Sequence, residues 1–217
     1  MGRRREHDAT TAAALLDAAE RTIADEGVEA LSLRTVAADA GTTTRAIYSL
    51  FESKNGLLAA LGVRAFNVLQ RDIQTLPSTD QPGQDLVEVA LVFRRFALEH
   101  PALFSIAFHR ADPAIWPSFR AAAMEALGVL DQRFEPLANA DLLGGRSITE
   151  ASTQFRALGE GAAWTELRGN PLPPDPERFW RNAFHALITG YATTPPPSRP
   201  HRINRPPHRA AASRPRN

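Results

Sequence analysis

One glycine constrains this chain more than any other residue. Gly41 closes a helix of about two turns that carries Val36, Ala37 and Ala40, and Thr42 or Thr43 can cap another that runs through Ile47 to Phe51. Two helices this short, joined this tightly, must cross and share a core. Ala37, Ala40 and Ala46 keep the crossing small, while Val36, Ile47 and Phe51 fill it, the packing that a helix-turn-helix needs.

The flanking sequence supplies the rest of a small helical unit. Over residues 10–26, Leu15, Ala19 and Ile23, with Ala12 and Leu16 beside them, recur at helical spacing opposite Asp17, Glu20, Arg21 and Asp25. Gly27 ends that helix, and Ser32 is placed to cap the next. Ser53 caps a fourth helix over residues 54–69, built on Leu57, Leu58, Leu61, Ala65 and Val68, in which Gly56 and Gly62 each cost about 1 kcal/mol relative to alanine.

TLPSTDQPGQ, residues 75–84, reads as a joint between domains. Amphipathic segments follow over about 84–99, 101–109, 115–135, 147–168 and 176–191, and none alternates as a strand. The expected class is therefore all-α. Residues 193–217 form a Pro/Arg-rich tail, expected to be disordered.

Composition excludes several chemistries. The chain has 217 residues and no cysteine, so disulfides, thiolate zinc sites and cysteine nucleophiles are out. His100, His109 and His185 lie too far apart in sequence to suggest a metal site. There is no G-x-S-x-G elbow and no phosphate-binding glycine loop, so neither an enzyme nor a bound cofactor is expected. No apolar run of about 20 residues occurs, and a cytoplasmic protein without membrane contact is expected. The formal net charge is +1, and residues 193–217 hold six arginines and no acid. Bulk charge thus gives the first domain no claim on nucleic acid; only the direction in which individual cations point can do so.

A helix in the major groove reads bases with its first turns and outward face. Thr44, Arg45, Tyr48 and Ser49 share one side of the third helix, while Ile47 and Phe51 turn inward. Arg45 can take a guanine edge or a phosphate, Thr44 a thymine methyl or an adenine, and Tyr48 and Ser49 the backbone. Arg34, Thr43 and Lys54 are positioned to clamp phosphates on either side. Taken singly, each is also what a merely solvated helix face would carry.

As a whole pattern, residues 10–61 resemble the DNA-binding domain of TetR-family transcriptional regulators. The likeness lies in the first helix ending in Glu26-Gly27, the Ser32-Leu33-Arg34 entry, Ala40-Gly41 at the turn, Ile47-Tyr48 and Phe51, and F-x-S-K followed by paired leucines. It implies an N-terminal three-helix helix-turn-helix domain over residues 8–70 and a larger helical effector-binding and dimerisation domain over residues 80–192. It also implies a homodimer with about nine helices per subunit, reading a palindromic double-stranded DNA operator at sites roughly one helical turn apart. A repressor released by a small-molecule effector is expected, with an activator or an interaction module lacking an effector response as the alternative. Ser49 and Leu50 stand where the family often has an aromatic residue and a histidine, and Gly56 where it often has an acid.

The second half resembles the C-terminal domain of a TetR subgroup carrying a Trp-His-Gly element, here replaced by Gly159-Glu160-Gly161. Its aromatic residues suffice to line a cavity; Phe96, Phe104, Phe108, His109, Trp116, Phe155 and Trp164 are the effector-binding candidates, with His109, Arg110 and Glu160 as polar fixtures. The last two long helices of the family pack against their twins. The corresponding stripe here is Phe179, Ala183, Ala186, Leu187 and Gly190, with Trp180 and Phe184 expected to add aromatic area.

Overall fold

A computed structural model describes residues 2–108, 116–170 and 173–193. The described residues form helices and connecting turns, with no strand: α1 (Gly2–Glu26), a 3-10 turn (Val28–Ala30), α2 (Leu33–Asp39), α3 (Thr44–Phe51) and α4 (Lys54–Gln74) come first. They are followed by α5 (Pro82–Glu99), α6 (Pro101–Phe108), α7 (Trp116–Asn139), α8 (Ile148–Leu167) and α9 (Pro176–Thr193). The fold is all-α, with an N-terminal helical bundle and a larger helical region. The tail expected over 193–217 lies, beyond Thr193, outside the described residues.

The turn at Gly41 is built as its sequence requires. Gly41 has φ 65°, its N–H donates to Ala38 O (3.0 Å), and the Thr42 N–H donates to Ala37 O (2.9 Å). Those two bonds satisfy the last carbonyls of α2 in the pattern that a left-handed residue after the helix allows. Ile47, Val36 and Leu15 are fully buried at the resulting crossing. Ser32 Oγ accepts from Thr35 N–H (3.5 Å) and Ser53 Oγ from Gly56 N–H (3.0 Å), so α2 and α4 start with satisfied donors. Thr43 precedes α3 but makes no side-chain cap bond.

Two glycines assigned only a helix-weakening cost have packing reasons. At Gly56 a Cβ would collide with the Phe51 carbonyl, because Glu52 at φ 66° folds the chain back between α3 and α4. At Gly62 a Cβ would sit 2.9 Å from the Phe119 ring, which is wholly buried on α7. Helix α4 therefore takes the Phe119 ring of α7 directly against its backbone, and this is the most extensive helix pairing among the described elements.

Helices α1 and α7 outrun their sequence-based limits. The apolar stripe of α1 starts near Thr10, but residues 2–9 contain good helix formers and no proline to stop the helix sooner. Helix α7 continues through Pro136 to Asn139, the burial of Leu137 (1% exposed) offsetting the hydrogen bond that proline removes. The loop after α4 is tied down. Arg133 on α7 donates to the carbonyls of Ile73, Leu76 (2.7 Å) and Pro77, and Asp85 accepts from the Thr79 N–H (2.7 Å) and hydroxyl (2.8 Å).

Gly62→Ala is expected to cost about 1–3 kcal/mol, since the ring it meets has no room to retreat. Urea denaturation monitored by far-UV circular dichroism measures that loss directly. Gly56→Ala, meeting backbone in place of a side chain, is expected to cost more.

Candidate functional site

Helix α3 offers its polar side to solvent. Thr44, Arg45, Tyr48 and Ser49 are exposed, as are Thr43 and Arg34, while Lys54 is half-buried. Tyr48 is 56% exposed although it is a large aromatic residue, whereas Ile47 next to it is fully buried. The split follows from the helical period: positions 44, 45, 48 and 49 share one side, and the opposite side carries the core. The basic side chains Arg34, Arg45 and Lys54 have no ion pair among the described residues, so their charge is available to a partner.

A cavity of about 220 Å³ lies in the second half. It is walled by Phe66, Leu69 and Ile73 of α4, by Phe93 and Phe108 of α5 and α6, by α7 through Ala123, Ala126 and Leu130, and by Phe155 and Phe184. Among the described residues Arg156 and Glu160, one turn apart on α8, are the charged ones of its wall, and their side chains approach to 3.7 Å. Gly159 between them keeps the wall thin: a Cβ there would come within 3.3 Å of the Phe93 ring. Burial pushes the Glu160 carboxyl above its usual range, and the Arg156 charge only partly offsets this.

Of the effector-binding candidates, Phe108 and Phe155 line the cavity. Phe96 and Phe104 are buried in the core behind it, and Phe104 stacks on Phe108 at 5.1 Å. Trp164 packs on Phe104 at 5.1 Å away from the cavity wall, and the Arg168 guanidinium lies over its indole at 5.2 Å. His109, Arg110 and the side chain of Trp116 lie outside the described residues. The sequence reading missed Phe66, Leu69 and Ile73, having assigned α4 to the first domain, and it had placed Phe184 on another surface. Helical periodicity marks residues as buried without telling which of them face a void.

On α9, Phe179, Ala183, Leu187 and Gly190 are half-buried and Ala186 is exposed, forming one outward stripe. Trp180 and Phe184 do not extend it. Both are fully buried in the subunit, stacked on each other at 5.5 Å, with Trp180 Nε1 donating to Glu166 Oε2 (3.1 Å). Glu166 also takes both arms of Arg94 (2.9 and 2.6 Å), which locks α5, α8 and α9 together.

A polar node joins the two regions. Glu20 on α1 meets His100 Nδ1 (2.8 Å) at the end of α5, and Arg64 of α4 lies 3.6 Å from Glu20. Arg64 also approaches Asp17 of α1 as an ion pair without aligned hydrogen-bond geometry. Nothing in the sequence suggested it, because partners 80 positions apart leave no local pattern.

Comparison with known proteins is consistent with this geometry. Residues 15–61 match the family described as bacterial regulatory proteins of the tetR family, and residues 86–187 match the tetracyclin repressor-like C-terminal domain. Together these spans take in well over half of the chain. The chain belongs to the TetR family.

The TetR-family match in the second half is to a domain whose description names no Trp-His-Gly element. HTH-type transcriptional regulator Rv1816 of Mycobacterium tuberculosis is 24% identical over 153 residues, 69% of this chain and 65% of that protein. This chain thus matches just under two thirds of that relative's length. The nicotine-responsive transcriptional repressor HdnoR of Paenarthrobacter nicotinovorans is 34% identical over 76 residues, 35% of this chain and 38% of that protein. A solved protein of unknown function from Rhodococcus sp. RHA1 shares the fold with a TM-score of 0.72 at 22% identity, covering 84% of this chain and 95% of that one. Among the described residues no helix is long and apolar enough to cross a membrane.

The raised Glu160 carboxyl carries a sign. Its charged form is disfavoured in the fold, so the penalty is present above the folded pKa and absent below the unfolded one. Glu160→Gln is expected to raise Tm at neutral pH by on the order of 1–2 °C, the gain fading as pH falls through the carboxylate range. Differential scanning calorimetry across that range checks both the sign and the fading.

Proposed function

We propose that this chain is a DNA-binding transcriptional regulator, a homodimeric repressor released from a palindromic operator by a small-molecule effector. The observation that carries the reading is the exposed polar face of α3, with Arg45, which has no ion pair among the described residues, at its centre and Arg34 and Lys54 beside it. Hydrogen-bonding groups on the outward side of a short second helix are what readout of base edges requires. The names of the relatives, transcriptional regulators and a repressor, support the same reading. The outward stripe of α9 suits a twin subunit, since small residues let helices approach closely. The ligand chemistry of the Trp-His-Gly subgroup is not carried over, because Gly159-Glu160-Gly161 stands in that place.

Helix α4 makes an effector response physically reasonable. It contacts α1 and α3 of the reading head, buries Leu57, Leu58 and Leu61 in its first half, and walls the cavity through Phe66, Leu69 and Ile73 in its second. An occupant that fits one tilt of α4 better than another shifts the head, and a coupling of about 1–3 kcal/mol changes DNA affinity about 5- to 150-fold. The Glu20–His100–Arg64 node gives the same displacement a second route, from α4 and α5 into α1.

Arg45→Ala is expected to flatten discrimination at the base pair it reads, removing about 1–3 kcal/mol of preference. Lys54→Ala is expected to weaken all sequences alike and to reduce the salt slope by about 0.9. Fluorescence anisotropy on duplexes tiling the DNA that flanks the protein's own gene, at several salt concentrations, separates the two. If neither substitution changes binding, α3 is not the reading helix.

A further inference from the structure

The cavity has a chemical preference that its apolar wall alone would not give. Glu160 is a mostly buried carboxylate, and among the described residues it accepts no hydrogen bond. Its charged neighbour Arg156 stays 3.7 Å away, and the Arg156 side chain is 39% exposed, against 29% for Glu160. The arginine can therefore withdraw into solvent on its long stem, whereas the carboxylate is held at the cavity wall. Around it the aromatic residues meet edge to face, Phe93 against Phe108 at 5.3 Å and Phe155 against Phe184 at 4.6 Å. Such a cluster presents ring faces as well as edges, and ring faces attract cations.

We infer that the cavity takes a compact organic cation, a protonated amine on an apolar body, with its ammonium on the Glu160 carboxylate and its body among the phenylalanines. This rests on the effector reading above and narrows it. A neutral hydroxyl would give the carboxylate a hydrogen bond without an opposite charge, and an organic acid would bring a second negative charge beside it. An ammonium supplies the missing charge-assisted hydrogen bonds and is stabilised by the rings at the same time. At about 220 Å³ the space lies below the range of about 300–1,000 Å³ typical of drug-sized ligands, so the body is small.

Isothermal titration of the full-length protein with phenylbutylamine, phenylbutanol and phenylbutyrate tests this, because the three share a body and differ in head group. The amine is expected to bind about tenfold or more tightly than the alcohol. Glu160→Gln is expected to bring the amine down to the alcohol's affinity while leaving alcohol binding unchanged, which also shows that the variant cavity is intact. Arg156→Gln is expected to leave amine binding as it was or to tighten it. Equal binding of amine and alcohol would overturn the cation assignment and leave the effector cavity standing. Tightest binding by the acid, lost in Arg156→Gln, would overturn it in favour of an anion. If none of the three binds, the effector reading of this cavity fails and the inference falls with it.

Discussion

The contact between Gly62 and the Phe119 ring decides how this molecule is put together. With no Cβ in the way, α4 lies directly on α7, and Phe66, one turn further on, stacks on the same ring at 6.1 Å. The consequence is that α4 is not a linker. It is shared, packed into the helix-turn-helix at one end and into the cavity wall at the other. Arg133 of α7 bonds the Ile73 carbonyl near the end of α4 and the Leu76 carbonyl just beyond it, which ties that far end to α7.

The helix-turn-helix was legible in the sequence because its determinants are local. Gly41, Ser32 and Ser53 each act within three residues of where they stand, and Ile47 marks the buried side of α3 by spacing alone. Gly56 was readable only in part. Its helix-weakening cost follows from its type, but the clash it avoids with Phe51 depends on Glu52 taking a left-handed conformation, which no pattern announces. The end of α7 was misjudged for a related reason: packing of Leu137 outweighed the proline before it.

The cavity was far less legible. Its wall draws on α4 to α9, and residues on six helices share a void only once every crossing angle is known. The sequence did single out the aromatic content and Glu160, but it gave Phe96 and Phe104 the same standing as Phe108 and Phe155. Only tertiary packing separates a phenylalanine that fills the core from one that borders a space. Trp180 shows the same limit from the other side, since an amphipathic helix with aromatic residues on two adjacent stripes does not reveal which stripe meets its own subunit.

The account stands or falls on whether the state of the cavity reaches the reading head through α4. Ala126 of α7 borders the cavity and is remote in sequence from the head, so Ala126→Phe places a permanent occupant there without altering any candidate DNA contact. DNA affinity of this variant, measured beside the wild type on the flanking duplexes after thermal unfolding has shown it folded, is the most direct test. The account predicts a loss within the range of about 5- to 150-fold expected of an allosteric coupling. A folded variant that binds DNA as tightly as the wild type would contradict it.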